Sequence, residues 1–133
     1  MKEYGGKQLV KAAIRAARAS YSPYSLFPVG AALLDGNGKV FTGCNVENAS
    51  YGLTICAERV ALLKAVSAGC RTFKALAVAG GKGVAARPCG ACLQVIAEFC
   101  SPEFPIHLAT LDRADKIERF SLKDLLPQTF TLK

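Results

Sequence analysis

Two cysteine motifs constrain this chain more than any other feature. Cys56-Ala57-Glu58 and Pro88-Cys89-Gly90-Ala91-Cys92 each open a helix-like stretch, with one apolar strand-like segment between them. Cys89 and Cys92 stand three residues apart, a spacing that puts both thiols on one helix face. Cys56 can join them only if the intervening crossover returns both helix starts to the same edge of a sheet, where the carboxyl ends of strands gather. A chain that meets this condition is an α/β protein with parallel crossovers.

The flanking sequence supplies the elements. Leu9, Val10, Ala13, Ile14 and Ala17 oppose Lys7, Lys11, Arg15 and Arg18, predicting an amphipathic helix over 7–19 that Ser22-Pro23 ends. Residues 29–34 and 39–43 form two strands around Asp35-Gly36-Asn37-Gly38, residue types that tolerate a tight hairpin. After a polar loop, Thr54 caps a helix over 57–66 that Gly69 closes. A buried strand over 76–79, a loop over 80–87 and a helix entered at Pro88 follow. Two further strands, 106–110 and 117–120, precede a turn capped by Ser121, and Phe130 lies on the tail. The expected architecture is a three-layer α/β/α domain with a mixed five-stranded sheet over 1–133.

With 133 residues, 51% of them hydrophobic, the chain can bury one sizeable core without crosslinks. Its apolar runs are far too short to cross a bilayer. The opening Met1-Lys2-Glu3-Tyr4-Gly5-Gly6 has no apolar leader stretch, so a cytoplasmic location is expected. In that reducing setting the six cysteines serve metals or catalysis more readily than crosslinks. The net charge is +7, and Arg59, Lys64, Arg71, Lys74, Lys82 and Arg87 fall between Glu58 and Glu98 without a carboxylate. Such charge favours anionic partners in general, but no stacking or groove-reading motif accompanies it, so neither a stable nucleic-acid partner nor a membrane is expected.

Three thiolates from Cys56, Cys89 and Cys92 can hold one Zn²⁺. A structural site would close the tetrahedron with a fourth protein ligand, whereas a catalytic site leaves a position for water. His107 falls in a strand and no other cysteine has a chelating spacing, which favours the open position, with Cys44 or Cys100 as the alternative closing ligand. Three thiolates outweigh the ion's charge, and two helix N-termini together with Arg59 could compensate. Glu58, two residues past Cys56, is placed to carry protons between water, a ring nitrogen and a leaving amine. Taken alone, Cys89-Gly90-Ala91-Cys92 would also suit a redox module, which leaves Cys56-Ala57-Glu58 unexplained. Gly80-Gly81-Lys82-Gly83 lacks the spacing of a phosphate loop and is a connection.

These paired motifs resemble the zinc-dependent cytidine deaminases, specifically the small homotetrameric type with three cysteine ligands. The resemblance extends through Tyr24-Ser25-Leu26-Phe27-Pro28-Val29-Gly30-Ala31-Ala32-Leu33, Gly43-Cys44-Asn45-Val46-Glu47-Asn48-Ala49 and Leu125-Leu126-Pro127. It implies a nucleoside substrate, one zinc per subunit, Asn45 and Glu47 on the ribose hydroxyls, and Phe27 as an aromatic wall. It further implies that Ala57 and Tyr51 line the pocket and that Phe130 enters a neighbouring subunit's site. A carboxylate at Glu47 would repel a phosphate, which favours free nucleosides over a polynucleotide cytosine, the competing substrate for the same chemistry. Leu93 and Arg87 depart from the resemblance, which implies an arginine at the first position and a small polar residue at the second.

Overall fold

The computed structural model describes residues 5–132. The opening segment on which the expectation of no export rests lies mostly outside them. Helix α1 (Gly6–Ala17) forms where the apolar stripe recurs, burying Leu9, Val10, Ala12, Ala13 and Ala17. It stops before the expected residue 19, where the Ala19 and Ser20 N–H groups tighten onto the Ala16 and Ala17 carbonyls and the Ser20 hydroxyl donates to the Asn45 side chain. Strands β1 (Val29–Asp35) and β2 (Val40–Cys44) make the expected hairpin. Its turn is fixed by the Asp35 carboxylate, which accepts from the Asn37 and Lys39 N–H groups at 2.9 and 2.8 Å, and by Gly38 at φ +89°.

A short 3₁₀ turn (Tyr51–Leu53) leads to α2 (Ala57–Ser67), β3 (Phe73–Gly80), α3 (Gly90–Phe99), β4 (Pro105–Ala109), β5 (Glu118–Ser121) and α4 (Leu122–Leu125). Thr54 does not cap α2. The chain is still extended at Ile55, which exchanges backbone hydrogen bonds with Val46, so the cap falls on Cys56. Gly69, at φ +100°, ends the helix as expected, and Ser121 caps α4.

The five strands run in the order β2-β1-β3-β4-β5. Both β2 and β3 are antiparallel to β1, which makes them parallel to each other, and β3 pairs in parallel with β4. The carboxyl ends of β2 and β3 therefore leave the sheet at one edge, and the N-termini of α2 and α3 start there. One sheet face, with Ala32, Leu34, Ala77, Ala79 and Ala109, is covered by α1. The other, with Ala31, Leu33, Leu76, Val78, Ile106 and Leu108, packs on Ala57, Ala61, Leu62 and Ala65 of α2 and on Leu93 and Ile96 of α3. The layers are those expected. Among the described residues no helix is long and apolar enough to cross a membrane.

Two glycines set how closely helices approach the sheet. A Cβ at Gly30 would lie 1.9 Å from the Ala13 carbonyl oxygen, and one at Gly43 would lie 2.6 Å from both the Ala57 carbonyl oxygen and the Ala61 nitrogen. Bare backbone at Gly43 lets the first turn of α2 rest directly on β2, next to the cysteine that caps it.

Candidate active site

The site is built from two helix starts. Cys56 occupies the N-cap of α2 and Cys89 that of α3, where Cys89 Sγ accepts from the Cys92 N–H at 3.4 Å. Both helices start at the sulfurs, which places their positive dipole ends beside them. Cys56 Sγ lies 3.8 Å from Cys89 Sγ, which lies 3.4 Å from Cys92 Sγ. All three fall within 4.8 Å of one another.

This donor set fits zinc. Sulfurs bound at about 2.3 Å on a tetrahedron sit about 3.8 Å apart, close to the separations found. Among the described residues no fourth side chain joins the cluster. Cys44 ends β2, and Cys100 caps the far end of α3. His107 lies in β4 and turns its ring toward Gly6 at the start of α1, on the opposite sheet face.

Electrostatics around the sulfurs favour ionisation at Cys56 and oppose it at Cys92. Hydrogen bonding to the Cys92 thiol brings Cys56 down to about 5 against the cost of burial, and Arg59 and Cys89 assist. Arg59 Nη2 donates to Cys56 Sγ at 3.5 Å, and the Arg59 Nε is buried without a partner in the structure. Hydrogen bonding to Cys56 and burial push the Cys92 thiol up. Glu58, 4% exposed in the first turn of α2, is pushed up to about 7, chiefly by burial and then by the charge on Cys56, while its own backbone N–H and the Cys92 thiol pull the other way. A carboxyl poised near neutrality beside such a cluster can both take and give a proton.

The remaining sequence-derived residues fall into two groups. Asn45 and Glu47 are buried and brace the loop between α1 and β1. Asn45 Nδ2 donates to the Phe27 carbonyl at 2.8 Å and its Oδ1 accepts from the Val29 N–H at 3.0 Å. Glu47 Oε1 accepts from the Tyr24 and Ser25 N–H groups at 3.0 and 3.1 Å, and the Ser25 hydroxyl donates to Oε2. These bonds, the Ser25 hydroxyl foremost, hold the Glu47 carboxyl below the usual range. The braced loop carries Leu26 at φ +57° and sets the Phe27 ring against Gly81, at the end of β3 and so at the same sheet edge. Ala57 is fully buried at the first position of α2.

Tyr51 and Phe130 form the second group, residues that are 62% and 66% exposed. The tail is fastened by its Phe130 carbonyl, which accepts from Gln94 Nε2 on α3 at 3.0 Å. Leu93 is buried in the core beneath α3, and Arg87 turns away to pair with Glu118 on β5. Sequence reasoning missed the bracing role of Ser20, Tyr24 and Ser25. The turn-forming run Ser22-Pro23-Tyr24-Ser25 was the available signal.

Comparison with known proteins agrees with this geometry. The family model for the cytidine and deoxycytidylate deaminase zinc-binding region matches residues 5–108. The cytidine deaminase of Sporosarcina psychrophila is 49% identical over 125 residues, 94% of this chain and 90% of that protein. That of Halalkalibacterium halodurans is 48% identical over 125 residues, 94% of this chain and 93% of that protein. Among solved structures, cytidine deaminase from Burkholderia pseudomallei superposes with a TM-score of 0.90 at 46% identity, covering 96% of this chain and 100% of that one. The Mycobacterium tuberculosis enzyme does so at 0.83 and 42%, covering 98% and 100%. A match over most of the length, by family model and by relatives alike, means that the chain belongs to the zinc-binding cytidine and deoxycytidylate deaminase family.

Proposed function

We propose that the chain catalyses hydrolytic deamination of cytidine and 2′-deoxycytidine to the corresponding uridines and ammonia, acting as one domain in pyrimidine salvage. The observation that carries this reading is the three-thiol cluster with the buried Glu58 carboxyl beside it. Cys56, Cys89 and Cys92 hold one zinc, which when bound supplies the Lewis acidity that makes water a nucleophile at neutral pH. Glu58 takes the proton from the water that adds to pyrimidine C4 and delivers it to N3. It then carries the proton of the new C4 hydroxyl to the amine at C4, whose bond to carbon breaks as the carbonyl of the uridine forms and ammonia leaves.

Phe27 offers a face to the pyrimidine, and Ala57 with the first-turn backbone of α2 forms the floor. Asn45 keeps a second amide N–H, and Glu47 keeps acceptor capacity at Oε2, for the ribose hydroxyls. The lowered carboxyl of Glu47 stays anionic and disfavours a phosphate at the sugar, which supports free nucleosides over polynucleotides. The exposed Phe130 supports its entry into a neighbouring subunit's site within a homotetramer, and Tyr51 lines the pocket; the protein acts in the cytoplasm. The test follows ultraviolet absorbance of cytidine with zinc-loaded protein, alongside a cytosine-containing oligonucleotide. Conversion of cytidine with the oligonucleotide untouched is expected; preference for the oligonucleotide, or no turnover of cytidine, would overturn the reading.

A further inference from the structure

Cys89 is an exposed residue entered from residues 81–87, a stretch without helix or strand whose Gly81 and Gly83 sit at φ +79° and +76°. Backbone hydrogen bonds tie this connection to the sheet, Ala86 N–H to the Gly80 carbonyl and Leu111 N–H to the Gly81 carbonyl, each at 3.1 Å, the last anchored residue standing three before Cys89. Its last residue before Pro88 is held by three separate contacts. Arg87 Nη1 and Nη2 donate to the two carboxylate oxygens of Glu118 at 2.8 and 3.2 Å. Nη1 also donates to the Ala85 carbonyl at 3.2 Å, and the guanidinium lies 5.5 Å from the centroid of the Phe120 ring. Glu118 and Phe120 both stand on β5, which is paired to β4 through Glu118–Leu108 and Phe120–Ile106 and is followed directly by the buried Leu122. The fork thus joins the end of this connection to β5, two residues before Cys89.

We propose that Arg87 is a positioning residue for the metal centre: its fork on Glu118 and its stacking on Phe120 fix the entry to α3, so that Cys89 and Cys92 stand ready at zinc spacing. This rests on the reading of the three thiols as zinc ligands. The two side chains are 46% and 45% exposed, so the pair contributes little to global stability. Its effect is local, on how firmly the loop holds its ligand. A planar fork is required, because a lysine supplies the charge without the two parallel bonds.

The experiment measures zinc release from purified holoprotein to a chromogenic chelator, with melting of the zinc-stripped forms as a control. R87S and E118Q are each expected to release zinc about fivefold faster than wild type, and the double variant no faster than either. R87K should fall between wild type and R87S. Melting temperatures of the stripped variants should stay within about 3 °C of wild type. A charge effect alone would move R87S and E118Q in opposite directions, and that result overturns the proposal, as does wild-type release by R87S or R87K. E118Q leaves the loop's own sequence intact and carries the test if R87S does not fold. Wild-type protein that holds no zinc overturns both this proposal and the reading beneath it, whereas a zinc-bound wild type with unaffected variants overturns the clamp alone.

Discussion

Glu58 shows how one side chain is tuned by its position on a helix. Two residues past the cap, it lies in the first turn with its carboxyl buried, and burial together with the neighbouring thiolate raises it to about 7. An amide of the same shape would keep the packing and lose the proton. For E58Q, zinc content and folding are expected to match wild type while kcat falls about 10²- to 10⁴-fold, measured by metal analysis and cytidine turnover. Wild-type turnover would remove Glu58 from proton transfer. Arg59, the next residue, reaches back to donate to Cys56 Sγ, the contact that the proposed compensation of three thiolates needs. Asn45 and Glu47 serve two ends at once. The bonds that brace Phe27 leave each with spare capacity, so the proposed sugar contacts and the aromatic wall depend on the same pair.

At the scale of elements, the small residues of α2 matter as much as its cysteine. Ala57, Ala61 and Ala65 are fully buried and let the helix backbone settle on β2 at Gly43. Adding a methyl there forces α2 outward and moves Cys56 and Glu58 with it. The same change at Gly30 displaces α1, on the face away from the sulfurs. Both G43A and G30A are expected to lower stability by about 2–3 kcal/mol in urea unfolding. Only G43A should also speed zinc loss to a chelator, and equal zinc loss from the two would refute the role of this close approach. Much at this scale was legible in the sequence. The hairpin turn, the closing Gly69 and the Ser121 cap follow from local residue chemistry. The start of α2 did not, because Thr54 looks like a cap until the pairing of Ile55 with Val46, nine residues earlier in the chain, holds the backbone extended.

For the whole molecule, the decisive feature is that β1 lies between β2 and β3 and runs against both. That arrangement sends two crossovers to one sheet edge and brings Cys56 to Cys89 and Cys92. The cysteine motifs required such a meeting, so the gathering of the three thiols and the three layers were legible in the sequence. Of the Phe27 loop only the turn-forming run Ser22-Pro23-Tyr24-Ser25 was legible; its bracing could not be read, since the groups that Asn45 and Glu47 hold are backbone atoms and hydroxyls of a segment distant in the chain. Nor could the clamp of Arg87 on Glu118, which pairs residues from opposite sides of α3. The most direct test of the metal centre is zinc-edge X-ray absorption on the purified protein. Three sulfur neighbours at about 2.3 Å, with a light atom completing the shell, are expected. Four sulfurs around the ion, or no zinc in the sample, would contradict it.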